Sequence, residues 1–123
     1  MKDYDIYGDI RQASNVIYLL NGGEDVAKLW NEIVANNVCL VEIKVMDWNG
    51  NLSPWKAKKV FRQGEDFEGN ADIFLKVLTK NFIPEIEINS ENVQKRMLVG
   101  YSLAGLFAVY SCYQTDLFDR IAA

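Results

Sequence analysis

The chain has 123 residues, half of them hydrophobic, with 13 basic and 17 acidic side chains and a net charge of −4. That length suits one domain, and that apolar content supports a packed core rather than a disordered segment. No basic patch stands out, which argues against nucleic acid as a partner, and no apolar run approaches the ~18 residues of a membrane span.

The opening Met1-Lys2-Asp3-Tyr4-Asp5 is too acidic and polar for a secretory signal, so the cytoplasm is the expected compartment. Cys39 and Cys112 fall in an apolar strand-like run and an apolar helix-like run. Both are expected as buried free thiols rather than as a disulfide. The chain contains no histidine. Metal-ligand spacing is therefore missing, and neither metal nor cofactor is expected.

In chain order, Tyr4, Ile6 and Ile10 suggest a short edge strand. Val16-Ile17-Tyr18-Leu19-Leu20 is a continuous apolar run, which reads as a strand buried on both faces of a parallel sheet. It ends in Asn21-Gly22-Gly23. Val26, Leu29, Trp30, Ile33 and Val34 then fall on one face of a helix. Asn36-Asn37 break that helix, and Val38 to Val45 reads as the next strand. Strand, helix and strand make a βαβ unit. Asp47 to Gly69 reads as a long irregular stretch, rich in turn formers, leaving the sheet edge where α/β folds place ligands. Trp48, Trp55 and Phe61 are candidates to line a pocket there, or to cover the core beneath. A helix is expected from Asn70, as N-cap, through Phe82, with Pro84 stopping or kinking it. Glu85 to Asn92 reads as a solvated acidic connector. A strand, a turn and a helix follow, and a short apolar segment opens near Phe118. No internal repeat or linker is evident. The order predicts an α/β fold with a mainly parallel sheet, arranged as a three-layer α/β/α sandwich.

The chemistry is concentrated after the last long strand. Met97-Leu98-Val99 leads into Gly100-Tyr101-Ser102-Leu103-Ala104-Gly105, and an apolar helical run continues to Tyr113. Such a turn holds its serine in a strained left-handed conformation and lifts the hydroxyl above the sheet. Ser102 is thus the candidate nucleophile; its alternative job is to cap the helix at Leu103. The N–H of Leu103 is the expected first oxyanion donor. The glycine turn after the first buried strand is the expected second, with Gly23 N–H ahead of Gly22. Asn21 and Tyr101 join Trp48 and Trp55 as candidate pocket lining. Asp47, Asp116 and Asp119 are candidate acids by residue type alone, and surface carboxylates are the simpler reading. Without an imidazole, a serine lacks its usual general base.

Val16-Ile17-Tyr18-Leu19-Leu20-Asn21-Gly22-Gly23, Ser53-Pro54-Trp55, Phe82-Ile83-Pro84-Glu85-Ile86-Glu87 and the run from Leu98 to Ala108 resemble the α/β-hydrolase superfamily. The likeness is to its esterase-D-like and enterochelin-esterase-like branch and covers about residues 14–123. The resemblance implies a partial α/β-hydrolase fold and a serine ester hydrolase acting on a small-molecule ester. It implies Ser102 as nucleophile and oxyanion donors at Leu103 and the Gly22-Gly23 loop. Asn21 stands where the family usually has histidine, and Ala104 where the motif has its last glycine. The family's acid and histidine come on later strands and loops. The chain is therefore expected to be the N-terminal part of a longer hydrolase, inactive alone. Its sheet edge and the uncovered faces of Leu106 to Tyr113 are expected to pair with a second copy through Phe118 to Ala123. The alternatives are a non-catalytic binding or assembly module that keeps the cleft, and an acyltransferase on the same scaffold.

Overall fold

The computed structural model describes residues 3–35, 37–59 and 64–123. Its main sheet is built from β1 (Tyr4–Tyr7), β2 (Asn15–Leu20), β3 (Val38–Ile43), β6 (Lys95–Val99) and β7 (Arg120–Ala122), in the spatial order β1-β3-β2-β6-β7. β1 runs antiparallel to β3, and all the other pairs are parallel. The helices are α1 (Val26–Ile33), α2 (Trp48–Leu52), α3 (Ala71–Val77), α4 (Ile83–Ile86) and α5 (Leu103–Gln114). β4 (Lys56–Ala57) and β5 (Phe67–Glu68) form a separate two-stranded ribbon. Among the described residues, no helix is long and apolar enough to cross a membrane.

The parallel register sorts the side chains into two faces. Val16, Tyr18 and Leu20 share one face with Cys39, Val41, Ile43 and Leu98, and all seven are buried in the main core. Phe74, Leu75 and Leu78 from the α3 region join them, with Ile83, Ile86, Ala104, Phe107 and Ala108. The opposite face carries Ile17, Leu19, Leu40, Glu42, Met97 and Val99. There α1 packs through Val26, whose side chain meets Leu19 over Gly22. The sandwich is lopsided: α2 to α5 lie on one side, and α1 lies on the other.

That lopsidedness corrects several readings from pattern alone. β2 is fully buried only on alternate positions, because Ile17 and Leu19 are half-exposed. On α1, Leu29 is 39% exposed and Val34, past the helix end, is 59% exposed. Cys112 is exposed on α5, while Cys39 is buried, and burial pushes its thiol up to about 11. The stretch from Asp47 to Gly69 is less irregular than expected, since its described residues include α2 and the β4–β5 ribbon. Asn70 does precede α3, but its side chain makes no capping bond. Leu78 to Phe82 continue α3 as a π-helical turn, and Ile83 N–H donates to Leu78 O, five residues back. Proline has no N–H and crowds the carbonyl of the preceding turn, so the wider turn lets the helix continue through Pro84.

The acidic connector also turns inward. Ile86 is buried, and Glu87 accepts two hydrogen bonds from Arg96 Nε and one from Nη2 at 2.5 Å. The buried Tyr18 hydroxyl also donates to Glu87. Burial first, and then the carboxylate, hold that hydroxyl far above the usual phenol range, so it stays a donor. The Glu87 contact keeps Arg96 firmly protonated. The pair ties α4 to the start of β6 and to the middle of β2. Removing one partner of a buried ion pair leaves an uncompensated charge. Both partners here are half-buried, so Glu87→Ala is expected to lower unfolding stability by about 2 kcal/mol, and Glu87→Gln by less, since Gln still accepts from Tyr18. Urea denaturation of the two variants measures this.

Candidate active site

β6 ends at Val99 and α5 starts at Leu103, so the chain reverses through Gly100, Tyr101 and Ser102. A Cβ on Gly100 would collide with the carbonyl of Ala104, which explains glycine at the strand's end. Gly105 has Gly100 O and Ala123 Cβ at 3.2 Å from where its own Cβ would stand. Ala104 is completely buried at the same crossing. Small residues on both elements let strand and helix pass this close.

Ser102 has φ 58° and ψ −123°, a backbone state that side-chain-bearing residues avoid. The positive φ is the strained backbone that the sequence predicts at Ser102. Ser102 is exposed, and its side chain makes no capping bond to α5. The alternative job of helix capping is thus not performed by its hydroxyl. Leu103 is the first residue of α5, so its N–H has no carbonyl one turn earlier to bond. The carbonyls of Tyr101 and Ser102 instead accept the N–H groups of Ala104, Gly105 and Leu106.

The glycine turn lies beside this elbow. Leu19 registers with Val99, so the loops leaving β2 and β6 are neighbours at one edge of the sheet. Asn21 also has a left-handed φ of 50°. Its amide Nδ2 donates to Val45 O at 3.2 Å, and its Oδ1 accepts Val45 N–H at 2.8 Å. Asn21 N–H donates to Ile43 O at 2.9 Å. The Asn21 side chain therefore clamps the ends of β2 and β3 together. The N–H of Gly23, expected to face an oxyanion, donates to the carboxylate of Glu42 at 3.1 Å. Glu42 was invisible as a site residue because it reads as one polar position in an otherwise apolar strand.

The remaining candidates divide. Trp48 opens α2, is half-buried and packs on the core, whereas Trp55 is 61% exposed. Tyr101 is 83% exposed beside Ser102. Phe61 lies outside the described residues. A hollow of about 430 Å³ beneath the ribbon is polar, lined by Asp47, Lys59, Gly64, Glu65, Asp66 and Glu68. Asp47 shares the edge with Ser102, but its Oδ1 accepts Gly50 N–H at 3.3 Å and caps α2. Asp119 Oδ2 accepts Arg96 N–H at 2.9 Å, at the far end of β6 from Ser102. Asp116 is exposed past the end of α5. Among the described residues, no cluster of three or more metal-ligating side chains exists.

The elbow predicts opposite signs for glycine exchanges two positions apart. Ser102→Gly relieves a left-handed backbone and is expected to raise stability by about 1 kcal/mol. Gly100→Ala forces a methyl into the Ala104 carbonyl and is expected to cost about 3 kcal/mol. Thermal unfolding of both variants checks the pair.

No protein-family model matches the sequence, and no curated protein matches it. Solved structures do. An IroE-like serine hydrolase from Shewanella oneidensis superposes with a TM-score of 0.80 at 22% identity, covering 96% of this chain and 44% of that one. The siderophore hydrolase EstA from Aspergillus nidulans gives 0.70 at 17% identity, covering 96% and 50%. An enterobactin hydrolase, IroE, in complex with DFP, gives 0.60 at 18% identity, covering 94% and 54%. This chain spans about half the length of these structures. With its mostly parallel sheet between helical layers and its Gly100–Ser102 reversal, the chain carries part of the α/β-hydrolase fold.

Proposed function

We propose that the chain carries the nucleophile of a serine ester hydrolase, with Ser102 attacking the ester carbonyl and Leu103 N–H stabilising the oxyanion. The observation that carries this reading is the left-handed Ser102 whose hydroxyl is not used to cap α5. Strain of this kind persists only where surrounding packing imposes it, and it is a mark of functional turns. Structural neighbours named as serine and siderophore hydrolases support the same reading. Small-molecule esters, siderophore esters among them, are the substrate class to test first, in a cytoplasmic setting.

The chain has no histidine, so the usual imidazole base is not among these residues. A general base contributes ~10²–10⁴-fold, and an oxyanion hole alone leaves only a small residual rate. The chain by itself is therefore expected to show negligible hydrolysis of an activated aryl ester, equal in wild type and Ser102→Ala. Robust turnover that Ser102→Ala abolishes would mean that another group in the chain serves as base. An acyltransferase on this scaffold would use the same serine and differ in acceptor; an assembly module would keep the elbow without turnover.

We also propose that two copies pair through β7. Among the described residues, that strand is hydrogen-bonded on one side only, by β6. The outer face of α5 exposes Leu106 and Val109 at 40% each and Tyr113 at 83%. On the opposite face of the sheet, a groove of about 660 Å³ is lined by residues of β2, β6 and β7, Ile17, Met97, Lys95 and Arg120 among them. Open strand edges and apolar patches favour association. Sedimentation at low micromolar concentration is expected to give a dimer, and substitution of Ile121 by Pro, which removes an edge donor, to give a monomer.

A further inference from the structure

Resting on the reading of Ser102 as nucleophile, we propose that Glu42 is a positioning residue for the oxyanion loop. Its carboxylate holds Gly23 N–H turned into the protein and leaves Gly22 N–H as the loop's donor to substrate.

Glu42 sits on β3, is 7% exposed, and shares the α1-covered face with its registered neighbour Leu19. Its Oε2 lies 3.1 Å from Gly23 N. Among the described residues its carboxylate takes no other hydrogen bond and no ion pair; nearby Lys44 pairs with Asp5 instead. A buried carboxylate with so little compensation is expensive for folding. An apolar side chain would pack better on this face, so the group's use lies in what it holds.

It holds a loop of specific shape. Gly22 is right-handed, at φ −76° and ψ −14°, and Gly23 is left-handed, at φ +70°. The Glu42 oxygen accepts the N–H of the second of these two glycines and not that of the first. A Cβ on Gly22 would collide with Val26 and Leu19, so the loop is pressed onto α1 at that point. Asn21 fixes the loop's other end through Val45. Among the described residues, Gly22 N–H has no acceptor, and Gly22 directly follows the end of the clamp that neighbours the Ser102 turn. The donor assignment thus moves from Gly23 to Gly22, with Leu103 as its partner.

Amide exchange and boronate binding test this on the chain as it is. In the free protein, Gly23 N–H is expected to be protected in wild type and in Glu42→Gln, whose amide oxygen still accepts. It is expected to exchange at least ~10-fold faster in Glu42→Leu, with the other amide resonances unmoved. An arylboronic acid that adds to Ser102, with Ser102→Ala as blank, is expected to shift the Gly22 and Leu103 amides and not Gly23. Its affinity should fall ~10-fold or more in Glu42→Leu and by no more than ~2-fold in Glu42→Gln. Equal Gly23 exchange in all three proteins, an adduct that shifts Gly23 instead of Gly22, or tighter binding to Glu42→Leu would each overturn the proposal. The last would mean that the carboxylate competes for the donor. A wild type that forms no Ser102-dependent adduct would instead sink the nucleophile reading, and the Gly23 exchange series would still decide whether Glu42 holds the turn.

Discussion

The chain turns from a strand to a helix within three residues, and it can do so only because Gly100 lies against the carbonyl of Ala104. Much of the fold is arranged to support that contact. Ala104, Phe107 and Ala108 pin one side of α5 into the core, and Gly105 lets β6 and the end of β7 come close. The strained backbone at Ser102 is the consequence. An isolated turn would relax out of it, but here both flanking elements are fixed by packing that outweighs the few kcal/mol of strain. The hydroxyl is held above the sheet edge by the core rather than by a hydrogen bond of its own.

Two carboxylates, Glu42 buried and Glu87 half-buried, stand on opposite sides of the same sheet and do different work. Glu87 closes a balanced network with Arg96 and Tyr18, on the side packed by α3 to α5. The opposite charges are paired there, so the network joins three separate elements without leaving a charge unpaired. Glu42, on the α1 side, has the single N–H of Gly23. The first arrangement is what a fold needs to seal a polar seam. The second does little for the core and much for the loop beside Ser102. Tyr4, whose hydroxyl donates to Glu85 at 2.6 Å, adds a lighter tie from β1 to α4.

The one-sided helical cover explains where apolar pattern misleads. Periodicity reports which residues share a face of an element, not whether anything covers that face. Leu29, Leu106 and Val109 all lie on regular apolar stripes and remain about 40% exposed. Cys112, within the all-round apolar α5, is exposed for the same reason. The partner layer decides burial, and it lies beyond the reach of local pattern.

What the sequence determined by itself was whatever depends on neighbours in the chain. The order of strands and helices, the elbow at Gly100 to Ser102 and the glycine turn after β2 are all local: backbone sterics and short-range periodicity specify them. The short helix and ribbon between Asp47 and Gly69 escaped, since elements this short have no period to read. So did the π-helical turn before Pro84, which reconciles proline with a helix that its tertiary packing keeps going. Only the tertiary structure decided which polar groups meet. Glu42 and Gly23 are 19 residues apart, and Tyr18 and Glu87 are 69 apart. Nothing in a local pattern marks such pairs, because a hydrogen bond across the fold depends on strand register and helix placement, and these exist only once the whole sheet has assembled.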